Sequence, residues 1–360
     1  MTADQESAVS AFYRSKGVMP GAGSRLAPAS TRLAASSTSI GNDYFDSFLS
    51  AYEDDPGLTV GGMDVVSSII TRTPTDAGAR YRVSVRVSVR LTDKADGSTF
   101  TGGETIDHLL DTVEQTEGPI VVRQDRSTGV STAPLQVVAE TAADIATVKD
   151  TTPLPAWQLR GKRGGAAPAN SKAESGSISA QATAYPTLNY QAVANYASLW
   201  TDDAHANQLN SKYGDAGNNC SNFISQALNV GGWPIRDTTY PYRANLNYWD
   251  YNMTGPGTFT YSWSRAEESY RMVHDKAGKS TFSDLEDGFL ADLAYFDWNV
   301  GGAKYGDGIK DHVIIVTKRT SAHPYYSQKS GNRHNVPPST VISNFRSGGG
   351  TQWKVLGLRT

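Results

Sequence analysis

The chain has 360 residues, 38% hydrophobic and 19% charged, which is enough apolar material for packed cores and enough length for two ordinary domains. Its 33 Lys and Arg stand against 36 Asp and Glu, a formal charge of -3, which argues against a protein built to grip nucleic acid through a basic excess. No uninterrupted apolar run of about 18 residues occurs, so no membrane span is expected.

The opening stretch, MTADQESAVSAF, lacks a basic segment followed by an apolar core, so no signal peptide is visible. Apolar spacing predicts helices over Glu6 to Tyr13 and Tyr44 to Tyr52. From Tyr81 to Leu91 every odd position is apolar and every even one is Arg or Ser, the period-2 pattern of a sheet with one buried face. Val65 to Ile70 is expected to pair ahead of it. Asp96-Gly97 supplies a turn, Phe100 to Val113 reads as the next strand, and Pro119 to Val122 starts another. The first part is therefore α+β: helices, then a curved antiparallel meander. The stripe Arg82, Arg86, Arg90 reads as a solvated face neutralised by acidic neighbours.

Residues 151–184 change character. Ala, Gly, Ser and Pro dominate, large apolar side chains nearly vanish, and the segment cannot offset its ordering entropy by burial. It reads as a flexible linker between an accessory domain over 1–150 and a second globular domain over 185–360. In the latter, Tyr190 to Trp200 has the spacing of an amphipathic helix.

Cys220 is the single cysteine, which excludes an intrachain disulfide and a multi-cysteine zinc site. It follows Asn218 and Asn219, both good helix N-caps. Phe223, Ile224, Ala227 and Leu228 then repeat at helical spacing until Gly231-Gly232. Cys220 thus belongs to a first helical turn, where unpaired N–H groups and the helix dipole favour an anion, and its thiol is expected to ionise more easily than usual. The alternative is a small buried hydrophobe.

A nucleophilic thiol needs a base. Of six histidines, His312 has the best setting, at the start of the apolar run Val313 to Val316. A third group would orient its ring. Asn332 and Gln328, beyond the next strand at Pro324 to Gln328, can each offer a side-chain carbonyl; Asn332 is placed slightly ahead. Asp311 is a poor orienter, because strand neighbours point to opposite faces.

These residues resemble a known family. Asn219 to Leu228 with Gly231-Gly232 is similar to the Asp-Cys-Thr-Asn-Phe-Val-Ser-Gln motif and glycine pair of the putative amidase domain family. Ser262-Trp263 with Ala266, Asp292 to Asp297, and Asp311 to Thr317 match further segments in order, so the resemblance covers about 185–335. It implies a papain-like α+β cysteine hydrolase of the NlpC/P60 kind: a helix bearing Cys packed on an antiparallel sheet bearing His, cleaving an amide bond in bacterial cell-wall peptide. The chain departs from the family at Asn219, where the family has Asp, at Ala291, where it has Gly, and at Ser327 to Lys329, where a Gln-His pair is common. The leading helices and long strands resemble, more weakly, NTF2-like domains attached to secreted bacterial enzymes.

The expected function is a cysteine amidase or peptidase, without metal or cofactor, acting on peptide or peptidoglycan as a monomer. The expected location is extracellular, with the leader absent from this sequence, or alternatively cytoplasmic. The competing reading is a non-catalytic wall- or glycan-binding protein with a cleft lined by Trp233, Trp249 and Trp263. Transfer of the acyl group to an amine is a third outcome of the same chemistry.

Overall fold

The computed structural model describes residues 3–17, 42–76, 78–113, 121–127, 135–150, 185–217, 219–238, 242–253, 259–282, 284–297, 308–347 and 352–357. The expected linker and Asn218 lie outside these residues. The chain is α+β, as expected, and its contacts divide it into two units. The first comprises 1–135, 202–207 and 330–344; the second comprises 136–201, 208–329 and 345–360. No helix among the described residues is long and apolar enough to cross a membrane.

In the first unit, helices α1 (Ala3–Arg14) and α2 (Asn42–Glu53) precede three long antiparallel strands, β1 (Leu58–Thr75), β2 (Gly78–Asp93) and β3 (Thr99–Val113). β4 (Val121–Ser127) pairs with β3. The alternation in β2 is realised: Tyr81, Val83, Val85, Val87, Val89 and Leu91 are each at most 1% exposed. β1 is longer than its readable segment because register shifts at Val60/Gly62 and Ile69/Thr71 break its periodicity. The arginine stripe is neutralised as expected. Arg82 pairs with Asp107 at 2.8 Å and Arg90 with Asp64 at 2.6 Å, while Arg86 donates to the Asp203 carbonyl at 2.8 Å. Gly102 and Gly103 permit close approach, since a Cβ would meet the Tyr52 ring at Gly102 and the Val87 carbonyl at Gly103.

The second unit begins with β5 (Gln136–Val138), helix α3 (Ala142–Lys149) and helix α4 (Tyr190–Leu199), which is capped by Asn189. β6 (Gln208–Asn210) pairs with β5 in parallel. Helix α5 (Asn219–Val230) follows, then the short helices α6 (Tyr261–Ser264) and α7 (Ala266–Arg271). The main strands are β7 (Ser280–Phe282), β8 (Leu293–Asp297), β9 (His312–Arg319), β10 (Pro324–Gln328) and, after the first unit's β11 (Arg333–Val336) and helix α8 (Pro338–Ser347), most of which is also counted with the first unit, β12 (Gln352–Gly357). Their order is β10-β9-β8-β12-β7. Helices α4 and α5 pack on β9, and one hydrophobic cluster joins Val193, Tyr196, Phe223 and Leu228 to Leu293, Val313 and Ile315.

Candidate active site

Helix α5 starts where its sequence says it should. Asn219 Oδ1 accepts from the Ala216 N–H at 3.2 Å, and its Nδ2 donates to Asp215 at 2.9 Å, which fixes the turn before the helix. Cys220 is therefore in the first turn.

The other polar residues of this segment hold the helix in place. Asn222 donates to the Gly214 carbonyl at 3.0 Å and to Asn219 at 2.9 Å, and accepts from Trp263 Nε1 at 2.7 Å. Ser225 donates to the Trp263 carbonyl at 2.9 Å and accepts from Trp249 Nε1 at 3.2 Å. Gln226 accepts from the Tyr196 hydroxyl at 2.6 Å. All three side chains are buried, so each bond removes a donor or acceptor that burial would otherwise penalise. Trp233, Trp249 and Trp263 are at most 1% exposed. They are core, the usual place for such residues, and not the lining of the cleft that the competing binding reading would need: the indole groups of Trp249 and Trp263 bond to α5 side chains, and that of Trp233 bonds to the Pro186 carbonyl.

The Cys220 thiol differs from expectation. It is 1% exposed, and burial pushes its pKa up. The Ser221 hydroxyl, 3.9 Å away, and the backbone N–H groups of Val313, Ser221 and Cys220 pull it back only partway. The helix start does supply the expected donors, but desolvation of the charged form outweighs them. Tyr295 of β8, the register partner of Val313, also lies close enough to interact electrostatically with the sulfur, and its hydroxyl shares a 2.8 Å hydrogen bond with Ser269. The sequence reading missed Ser221, Tyr295 and Ser269; the β8–β9 pairing that brings Tyr295 there is a tertiary signal.

The contact from Val313 brings the start of α5 to the start of β9, where His312 is the preceding residue. His312 is buried at 4% exposure, and its Nε2 lies 3.0 Å from Gln328 Oε1. An amide oxygen has no proton to give, so Nε2–H donates and the ring's basic nitrogen is Nδ1. Gln328 reaches it because Ser327 pairs with Ile315, which sets Gln328 diagonally across from His312. Of the two candidate orienters, Gln328 makes this contact. Asn332 belongs to the first unit, where its carbonyl accepts from the Thr105 N–H at 2.7 Å.

The remaining histidines have other partners. His108 bonds Asp125 at 2.9 Å, His205 bonds Asp202 at 3.0 Å, and His274 bonds Asp275 at 2.7 Å. His323 bonds Glu286 at 2.7 Å, and His334 accepts from Asn335 at 3.0 Å. Among the described residues no group of three His, Cys, Asp or Glu side chains is arranged to hold a metal ion.

A stretch of 129 residues is 33% identical to the uncharacterized protein YjcM of Bacillus subtilis (strain 168), covering 34% of this chain and 27% of the relative. The chain thus spans about a quarter of the length of that relative. No solved structure matches. The segment holding both Cys220 and His312, residues 187–348, matches the model of the family described as "Putative amidase domain".

Proposed function

We propose that the second unit is a cysteine amidase in which Cys220 is the nucleophile, His312 the base and Gln328 the group that orients its ring. The carrying observation is the meeting of the Cys220 sulfur with the Val313 N–H, one residue from a histidine whose Nε2 is held by Gln328. The family match supports amide bonds as the substrate class.

In this reading the resting nucleophile is a neutral thiol, because burial raises its pKa. His312 Nδ1 takes the thiol proton as sulfur attacks the amide carbon, and a carbon–sulfur bond forms. The first-turn N–H of Cys220 donates to the developing oxyanion. The carbon–nitrogen bond then breaks, and the amine leaves with the proton from the imidazolium. Water, deprotonated by the same ring, attacks the thioester and releases the acid and the thiol. The layout is papain-like, and bacterial cell-wall peptide outside the cell is the proposed substrate and place. Incubating peptidoglycan fragments with wild type and Cys220→Ala tests it. Amide cleavage lost in the variant supports the reading, and equal cleavage in both ends it.

A second reading rests on its own observation. Cys220 is 1% exposed and shares an apolar cluster with Val313 and Ile315, as a core cysteine would. In a regular strand that arrangement gives the adjacent His312 to the other face. The second unit would then bind wall material without cleaving it. Saturable binding without turnover, unchanged after Cys220→Ala, distinguishes this reading from the first.

A further inference from the structure

In the second unit the short helical turn Tyr242–Ala244 packs against α6, and this brings two arginines to one ring. The Arg243 guanidinium lies over the Tyr261 ring at 4.6 Å from its centroid, and that of Arg265, just after α6, lies over the same ring at 3.5 Å. Stacking holds both groups on a rigid support while their N–H edges stay available. The two guanidinium carbons are within about 8 Å of each other, no more than a Debye length at physiological salt, so their repulsion is not screened away.

Little in the chain answers these charges. Among the described residues neither guanidinium donates a hydrogen bond, and the one ion pair either makes is that of Arg265 with Glu268, at 3.9 Å. The Arg243 Nε–H is buried without an acceptor, a cost that a ligand oxygen drawing the side chain outward would remove. Next to it Tyr242 is 57% exposed, with its ring centroid 6.4 Å from that of Tyr248. Tyrosine and arginine side by side are the composition of a protein-contact hot spot. A bare inorganic anion uses the charges and not the rings. A neutral sugar uses the rings and not the charges. An acidic peptide uses both.

We propose that Arg243, Arg265 and Tyr242 form a docking site for an acidic peptide, with its carboxylates on the two guanidinium groups and its methylenes against the Tyr242 ring. The site breaks no bond and does not depend on the Cys220 chemistry.

The test is calorimetric titration of a tri-glutamate peptide into the full chain at about 0.15 M salt, with a tri-glutamine peptide and inorganic phosphate as comparison probes. Saturable one-to-one binding of tri-glutamate with Kd below about 1 mM is expected, and binding at least about tenfold weaker for the other two. Arg243→Gln and Arg265→Gln should each weaken tri-glutamate binding about tenfold, and Tyr242→Ala about fivefold. Arg80→Gln, at an exposed position of the first unit, makes the same charge change and should leave Kd unchanged, as should Cys220→Ala. Absence of saturable binding overturns the proposal. So does an equal loss in Arg80→Gln, which marks general electrostatics, or an affinity indifferent to any of the three site variants. Phosphate binding as tightly as tri-glutamate would refute the peptide, tri-glutamine doing so would refute the charge argument, and loss of binding in Cys220→Ala would move the peptide to the thiol.

Discussion

Replacing Asn222 with Ala tests whether this segment of α5 is held by its polar side chains. The residue is fully buried and makes three hydrogen bonds, to Gly214, Asn219 and Trp263. Truncation strands the buried Trp263 indole N–H, which alone costs about 1–3 kcal/mol. Loss of the two donated bonds and the small void add to this, for a total of about 3–5 kcal/mol. Against a domain stability of about 5–15 kcal/mol, that is a large fraction. Trp200, Trp233, Trp249 and Trp263 are buried in the second unit, and the described part of the first unit holds no tryptophan, so the fluorescence of these four follows the unfolding of the second unit. With a urea slope of about 2 kcal/mol per molar, the midpoint should fall by about 2 M. A fall under about 0.5 M would refute the claim that this network holds the helix.

Four further outcomes follow from the same geometry. Alkylation of Cys220 by iodoacetamide should rise with pH through a midpoint above the ordinary thiol value of about 8.5, because burial opposes the thiolate; a midpoint below about 7 would contradict that. Gln328→Ala should lower amidase turnover about 10- to 100-fold and, because it strands the buried His312 N–H at a cost of about 1–3 kcal/mol, lower the tryptophan unfolding midpoint in urea by about 0.5–1.5 M. Gly103→Ala should destabilise the first unit by about 1–3 kcal/mol, read as faster hydrogen exchange in β2 and β3, because the new Cβ meets the Val87 carbonyl. His334 has its pKa lowered from 6.5 to about 4, chiefly by burial, with Asp202 and Asp203 partly offsetting it. As pH falls, the unfolded chain takes this proton first, so stability is full above the unfolded value and declines toward the folded one. The loss between pH 7 and pH 5 is about 2 kcal/mol, visible as a drop in exchange protection that His334→Gln should abolish.

How far the sequence foretold the structure depended on whether a feature was local. The alternation in β2 was readable because one strand face is buried along its whole length. The α5 helix was readable because caps and periodicity agree within one segment. The thiol's ionisation was not, because it depends on burial by tertiary packing and on groups such as Val313 and Tyr295, more than seventy positions away, that approach the sulfur only in the folded chain. The choice between Gln328 and Asn332 needed the register of β10 on β9, and a shift between Tyr325 and Tyr326 changes that register by one residue. The discontinuous units could not be read from composition, since 202–207 and 330–344 join the first unit through tertiary contacts.

The account rests on sulfur chemistry at Cys220 assisted by His312. Intact-mass and peptide mass spectrometry during turnover of a slow amide or activated ester substrate observes that chemistry directly. An acyl adduct should accumulate on the Cys220 peptide in wild type, disappear on hydroxylamine treatment, and fail to form in His312→Ala. Undiminished product release with no adduct, or product formed equally by Cys220→Ala, would contradict it.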